Sequence, residues 1–347
     1  MAENKHDRFA LRTVRIEAAR READGVLSLE LVDPDGGDLP PWAPGAHIDI
    51  VLPSRLVRQY SLCGRPDNRQ HYRIAVLRDD HGKGGSREIH ESVLVGQQVQ
   101  IRGPRNHFAL READEYLFVA GGIGITPILT MIRHLDEQGY AYRLFYGGRS
   151  RATMAFQREL AEIGGDTELI PLDERGQLDL DSILDSASPY TAVYACGPEG
   201  LLRALEKACA SRELELNVER FGTAPPPKAQ QPTPVQQQAA TPAAAAAAEP
   251  GPPAAASGDG TFTVELQESG LVLEVAPDRT ILEVVREHLP ETISSCEEGF
   301  CGACETPVIE GTPDHRDAVL DDHEREASES MMICISRCKG DRLVLGI

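Results

Sequence analysis

Four cysteines towards the end of the chain, Cys296, Cys301, Cys304 and Cys334, have the type and spacing to hold iron and sulfide. The first three stand in Cys296-Glu297-Glu298-Gly299-Phe300-Cys301-Gly302-Ala303-Cys304, separated by four and then two residues, and the fourth comes from a distant segment. This is the plant-type ligand pattern of a [2Fe–2S] cluster. A tetrahedral zinc site also takes four thiolates, but zinc ribbons usually pair short knuckles of two intervening residues. Here a four-residue arch contains small residues, and Gly299, Gly302 and Ala303 let backbone N–H groups approach sulfides closely. Such a cluster moves one electron at a time, so the rest of the chain is expected to hold whatever loads it. Cys338 reads as a spare thiol, with ligand exchange against Cys334 as the open alternative.

Upstream, Arg58-Gln59-Tyr60-Ser61-Leu62 has residue types suited to a flavin. Arg58 can neutralise a phosphate, Tyr60 can lie against an isoalloxazine, and Ser61 can hydrogen-bond near its N5. Lys83-Gly84-Gly85-Ser86 offers exposed amides and a hydroxyl ahead of a helix expected over Arg87–Val95, a phosphate cradle or an ordinary glycine turn. Gly121-Gly122-Ile123-Gly124-Ile125-Thr126-Pro127 follows an apolar strand and opens a helix, a context that suits a pyrophosphate. Pro127 fits a first helical turn. Cys196-Gly197-Pro198 ends a later strand, at the edge where α/β sheets bind ligands, although an isolated cysteine is often a buried small hydrophobe. Gly147-Gly148-Arg149-Ser150 ends another strand and could address an adenosine ribose or a phosphate. Phe221 either caps a flavin or plugs a core.

The elements that must position these groups fall into three patterns. Up to Leu110, short runs such as Val26–Val32, His47–Leu52 and Tyr72–Leu77 alternate apolar and polar residues between turns, which predicts an antiparallel β-barrel over 1–110. From 111 to 222 strand and helix alternate, which predicts a parallel α/β sheet. Its strands are expected at Tyr116–Ala120, Tyr142–Tyr146, Thr167–Leu172 and Val193–Ala195, and its helices at Thr126–Gln138, Phe156–Ile163 and Glu199–Arg212. Residues 223–258 are rich in Pro, Ala and Gln, cannot bury a core and read as a linker, with at most a transient helical turn at Ala243–Ala248. Residues 259–347 predict an α+β β-grasp domain. A hairpin is expected at Thr261–Leu266 and Leu271–Ala276, a helix at Ile281–His288, and closing strands at Met331–Ser336 and Arg342–Leu345.

A formal net charge of −20 argues against nucleic acid as a partner. The charge is uneven: 259–347 holds 20 acidic and 7 basic residues, a net of −13, whereas 1–222 is at −7. That acidity serves solubility or steers the segment towards a basic surface. There is no apolar run long enough to span a bilayer, no signal-peptide core, and no disulfide-like spacing among the remaining cysteines, so a cytoplasmic location without membrane attachment is expected.

Taken in order, Arg58-x-Tyr60-Ser61, Gly84-Gly85-Ser86, the Gly121–Pro127 loop, Cys196-Gly197-Pro198 and the four cysteines make the chain resemble the phthalate dioxygenase reductase and vanillate O-demethylase reductase family. The resemblance implies a flavin barrel, a pyridine-nucleotide domain and a plant-type ferredoxin. It implies FMN with Gly84, Gly85 and Ser86 on its phosphate, and Arg58, Tyr60 and Ser61 holding the flavin. It also implies Gly122, Gly124 and Thr126 along the nucleotide, Cys196 near the nicotinamide, and Phe221 near the flavin ring. NADH is the implied donor, with NADPH left open by the arginines of Gly148-Arg149-Ser150-Arg151. The implied acceptor is the Rieske centre of a separate aromatic-ring oxygenase or O-demethylase; a cytochrome P450, a carnitine-type oxygenase or a redox-sensing role are the alternatives. The long linker departs from the short connection of the family and suggests a swinging ferredoxin domain.

Overall fold

Alternation of buried and exposed positions, the signature of half-buried strands, runs through the first hundred residues. In the computed structural model, which describes residues 10–92, 94–185, 187–221 and 260–347, it produces an antiparallel sheet. The strands are β1 (Leu11–Ala23), β2 (Val26–Val32), β3 (His47–Val51), β4 (Val57–Ser61), β5 (Tyr72–Leu77) and β6 (Gln98–Arg105), in the order β4-β3-β6-β1-β2-β5. The two edge strands meet where Leu62 bridges Ile74 and the Cys63 amide donates to the Arg73 carbonyl at 2.8 Å, which curls the sheet towards a barrel. Val14, Ile16, Leu29, Leu31, Ile48 and Ile50 fill its interior. Helix α1 (Gly85–Glu91) begins two residues before the expected Arg87 and stops well short of Val95. Gly85 and Ser86 thus form its first turn, not a loop ahead of it.

Asp49 on β3 is fully buried and accepts from Arg102 and Arg105 of β6, each at 2.8 Å. Burial alone would raise its pKa, but the Arg105 and Arg102 guanidinium groups outweigh this and hold it below the usual carboxylate range.

The chain separates into two compact units, Met1–Gly222 and Thr223–Ile347. Within the first, the barrel sheet is followed by five parallel strands: β7 (Glu115–Gly121), β8 (Tyr142–Gly148), β9 (Asp166–Pro171), β10 (Thr191–Gly197) and β11 (Leu216–Arg220). Between them lie α2 (Ile125–Gln138), α3 (Gln157–Ile163), α4 (Leu172–Arg175), α5 (Leu180–Leu184) and α6 (Glu199–Ala210). β7 is buried from Tyr116 to Gly121, as a central strand covered on both faces must be. The order β11-β10-β7-β8-β9 reverses direction between β7 and β10, so a crevice opens at their C-terminal ends. Glu159 of α3 fastens this sheet to the barrel. It accepts from Arg73 of β5 at 2.7 and 2.8 Å and from Arg133 of α2 at 2.8 Å.

The second unit builds on β12 (Phe262–Leu266), β13 (Val272–Val275), α7 (Ile281–His288), β14 (Glu305–Glu310), β15 (Pro313–Asp314), α8 (Asp322–Ala327), β16 (Ser330–Met332), β17 (Arg337–Cys338) and β18 (Arg342–Leu345). Its sheet has the order β13-β12-β18-β14-β16, with β12 and β18 parallel in the middle. α7 spans the expected residues because Thr280 and Glu283 form a capping box and Ile281, Val284 and Val285 face the core. The expected strand Met331–Ser336 ends at Met332: the amides of Ile335 and Ser336 turn back onto the Met332 carbonyl, which puts Cys334 in a turn. The 223–258 segment lies outside the described residues. No helix among the described residues is long and apolar enough to cross a membrane.

Candidate functional site

The cluster loop shows how the four thiols are arranged. Cys296 and Cys301 interact thiol to thiol, as do Cys304 and Cys334. Within each pair the shared hydrogen bond lowers one thiol and raises the other: Cys296 falls to about 5 and Cys334 falls, while Cys301 and Cys304 rise. Backbone amides surround the sulfurs: Cys296 N and Ala303 N donate to Cys301 Sγ at 3.4 Å, and Glu298 N donates to Cys296 Sγ at 3.3 Å. Two thiol pairs suit a binuclear centre, with two thiolates for each iron. Gly299 (φ 76°) keeps the loop tight, since a Cβ there would lie 2.6 Å from Ile335 Cγ2. Cys301 is the least buried of the four. Cys338 stands apart from both pairs, accepting from Gly340 N at 3.3 Å and contacting the Arg342 carbonyl.

In the first unit the β7 and β10 ends touch through glycines. A Cβ on Gly124 would lie 2.1 Å from the Cys196 carbonyl, and one on Gly121 would lie 2.7 Å from Pro198 Cδ. No side chain could be added at either position without separating the loops. Beside this contact is a cleft of about 750 Å³, lined by Gly122, Gly124, Arg149, Gly197, Pro198 and Phe221 among others. Gly122 adopts φ 57° beside open space, which leaves its backbone accessible to a ligand. Thr126 is buried and its hydroxyl donates to the Ile123 carbonyl at 2.9 Å, so it shapes the loop and does not line the cleft.

Three strand ends converge beside the crevice. Ser61, the last residue of β4, donates to Glu219 Oε2 at 3.4 Å, and Glu219 on β11 pairs with Cys196 on β10. Burial pushes the Glu219 carboxyl up to about 8, against the lowering effect of the Ser61 bond. Burial also holds the Cys196 thiol well up, so it stands as a neutral group. His47 Nδ1 lies 3.9 Å from Glu219 Oε1, and the His47 ring sits 5.5 Å from that of His107. Sequence reasoning missed Glu219 and His47. The signal for Glu219 was present: a carboxylate near the end of an alternating strand, two residues before Phe221.

Around the barrel strand β4, Arg58 donates to the carbonyls of Val57 at 2.7 Å and Lys83 at 2.9 Å. A Cβ on Gly85 would lie 2.6 Å from Arg58 Nε, so this glycine is what lets the guanidinium rest against the first turn of α1. A cation beside a turn that begins Gly84-Gly85 is a donor set that fits a phosphate. The Ser86 hydroxyl accepts from the Asp79 amide at 3.0 Å, tying the turn to the end of β5. Burial raises the Tyr60 phenol and keeps it neutral.

A parallel sheet with its crevice opening beside a barrel strand, joined in sequence to a cysteine loop with paired thiols, defines a reductase linked to an iron–sulfur protein. The 2Fe-2S iron-sulfur cluster binding domain matches residues 264–339, and the oxidoreductase NAD-binding domain matches residues 118–207. Vanillate O-demethylase oxidoreductase of Pseudomonas sp. strain HR199 is 37% identical over 344 residues, which cover 96% of this chain and 99% of that protein. The structure of phthalate dioxygenase reductase aligns with a TM-score of 0.64 at 33% identity, covering 97% of this chain and 98% of that one. An intact type IV self-sufficient cytochrome P450 monooxygenase aligns with a TM-score of 0.76 at 40% identity; 97% of this chain matches 41% of that longer protein. The chain belongs to the phthalate dioxygenase reductase and vanillate O-demethylase reductase family of iron–sulfur oxidoreductases.

Proposed function

We propose that the chain is the reductase component of an aromatic-ring oxygenase or O-demethylase system, taking hydride from NADH and delivering single electrons to the Rieske centre of a separate oxygenase. The observation that carries this reading is Glu219 joining Ser61 of the barrel to Cys196, whose carbonyl abuts Gly124 of the crevice loop, in a chain that also holds the paired thiols. When bound, FMN converts a hydride equivalent into single electrons and the [2Fe–2S] cluster carries them onward.

In this reading the amides of Gly84, Gly85 and Ser86, with Arg58, hold the FMN phosphate. Tyr60 and Ser61 flank the isoalloxazine, and Phe221 covers it where nicotinamide must enter. Gly122 and Gly124 admit the pyrophosphate of NADH to the start of α2. Cys196 supports the nicotinamide as a neutral, compact wall. Glu219, neutral at physiological pH and bonded to Ser61, can release or take up the proton that accompanies electron transfer. Cys296, Cys301, Cys304 and Cys334 hold the cluster, with Cys301 nearest solvent on the side where electrons leave. The net charge of −13 over 259–347 steers that side towards a basic face on the oxygenase. A cytoplasmic location belongs to the same proposal.

A cytochrome P450 is the second acceptor to consider, because a chain of this fold is part of a self-sufficient P450 monooxygenase. An absorbance spectrum with cofactor extraction tests the core of the proposal: one FMN and about two irons per chain, bleached by NADH, are expected. Zinc without flavin would overturn it. Coupling to a purified Rieske oxygenase and to a P450 in parallel then decides the acceptor.

A further inference from the structure

The cluster loop contains a side-chain brace that the proposed electron path does not use. Within residues 296–304, three adopt positive φ: Glu297 at 63°, Gly299 at 76° and Gly302 at 72°. Glycine takes that conformation freely, whereas a glutamate is crowded there by its own Cβ. The peptide after Glu297 carries the Glu298 amide, which donates to Cys296 Sγ at 3.3 Å. The unusual backbone of Glu297 is therefore what aims that N–H at the sulfur.

The Glu297 side chain is held by Arg286, in the last turn of α7. Arg286 Nη1 donates to Glu297 Oε1 at 2.6 Å, and Arg286 Nη2 donates to Ser294 Oγ at 2.5 Å. Ser294 Oγ donates in turn to Glu297 Oε1 at 2.7 Å, which closes a ring of three side chains. The guanidinium also reaches the Thr292 carbonyl at 3.4 Å through Nε and Nη2. Ser294 is buried and anchors the ring, while Arg286 and Glu297 are 35% and 50% exposed. An isolated pair of that exposure would hold little. A planar fork shared between a carboxylate, a hydroxyl and a carbonyl fixes one geometry. Further along, the loop is held by Ala318 N, which donates to the Gly299 carbonyl at 2.8 Å.

Hydrogen bonds to the sulfurs of an iron–sulfur centre favour its reduced, more negative form and raise its potential. We propose that Arg286 is a positioning residue for the cluster: through Glu297 it holds the Glu298 N–H on the Cys296 sulfur and so raises the reduction potential. This rests on Cys296 being a cluster ligand, as proposed above. Two double variants of the full-length, cofactor-loaded protein test it, and they carry the same net charge. Arg286→Ala with Glu297→Gln removes the brace and leaves a side chain at position 297. Arg286→Ala with Glu297→Gly removes the brace but lets the backbone keep a positive φ unaided. Midpoint potentials from a reductive titration followed by EPR are the readout. The glutamine variant should lie below wild type by about 59 mV or more, equivalent to an about tenfold smaller reduced-to-oxidised ratio for a one-electron couple. The glycine variant should return most of the way to wild type. Equal potentials in the two variants overturn the proposal. If only the glycine variant assembles a cluster the proposal stands; if only the glutamine variant or neither does, it is overturned. A wild-type protein whose iron content and EPR show no [2Fe–2S] cluster overturns the ligand reading and the proposal together.

Discussion

Three of the four cluster thiols come from the single stretch Cys296–Cys304, and a turn after β16 supplies the fourth. The site of the first unit is assembled differently: Ser61 ends β4, Cys196 and Glu219 stand one residue before the ends of β10 and β11, and the Ser61–Glu219 bond spans 158 positions of sequence. The local site needs a tight loop with exposed amides, which glycines supply. The distributed site needs two sheets held in register, which the Glu159 pairing with Arg73 and Arg133 and the glycine contact at the crevice supply. The first kind can be lost without disturbing its neighbours. The second depends on packing far from the chemistry.

The largest effect should separate the two units. Cys304→Ser is expected to remove the [2Fe–2S] absorbance and abolish NADH-driven reduction of cytochrome c, while ferricyanide reduction by the first unit continues. Parallel loss of both activities would break the comparison. Gly124→Ala should act in the opposite sense. Its Cβ would meet the Cys196 carbonyl at 2.1 Å, forcing the crevice loops apart. A displacement of that order should lower NADH-driven ferricyanide reduction by about a hundredfold, with the iron–sulfur spectrum unchanged.

Asp49→Asn would leave two buried guanidinium groups without their shared carboxylate. Denaturant unfolding of the first unit should show a loss of about 3–5 kcal/mol; a loss below about 1 kcal/mol would mean the arginines find other partners. Glu219 gives a pH test. In the folded protein it keeps its proton up to about 8, against an ordinary value of 4.5, so the folded state binds more protons between those values. Stability from this group is therefore fully present below the ordinary value and declines as pH rises through the folded one. Glu219→Gln removes that decline. Its Tm relative to wild type should rise by about 10 °C between about pH 5 and about pH 9, and a flat difference would mean the carboxyl ionises normally. The smallest effect concerns charge: raising salt from about 50 mM to about 500 mM should slow cytochrome c reduction severalfold without slowing ferricyanide reduction. Equal slowing would remove the steering role from the acidic segment.

The legibility of each region follows the same division. α7 was readable to the residue because its capping box and apolar face are adjacent in sequence, and β2 and β5 because alternation between turns leaves little freedom. α1 was misplaced because Gly84 and Gly85 read as a loop, whereas contact with Arg58 recruits Gly85 into the helix. The strand through Cys334 was overextended because Ile333 and Ile335 suit a strand; the turn onto the Met332 carbonyl overrides that preference. Short elements such as β15 and β17 carry too few residues for any pattern to register.

The sequence alone determined what is short-range: the spacing of Cys296, Cys301 and Cys304, the glycines that end strands, the alternation that separates barrel from parallel sheet, and the acidity of 259–347. Tertiary structure decided which distant groups meet. It paired the thiols and set Glu219 beside Ser61 and Cys196. The reason is physical. Ligand spacing and backbone freedom are properties of neighbouring residues, whereas the burial that holds Glu219 neutral exists only once three strands have closed around it.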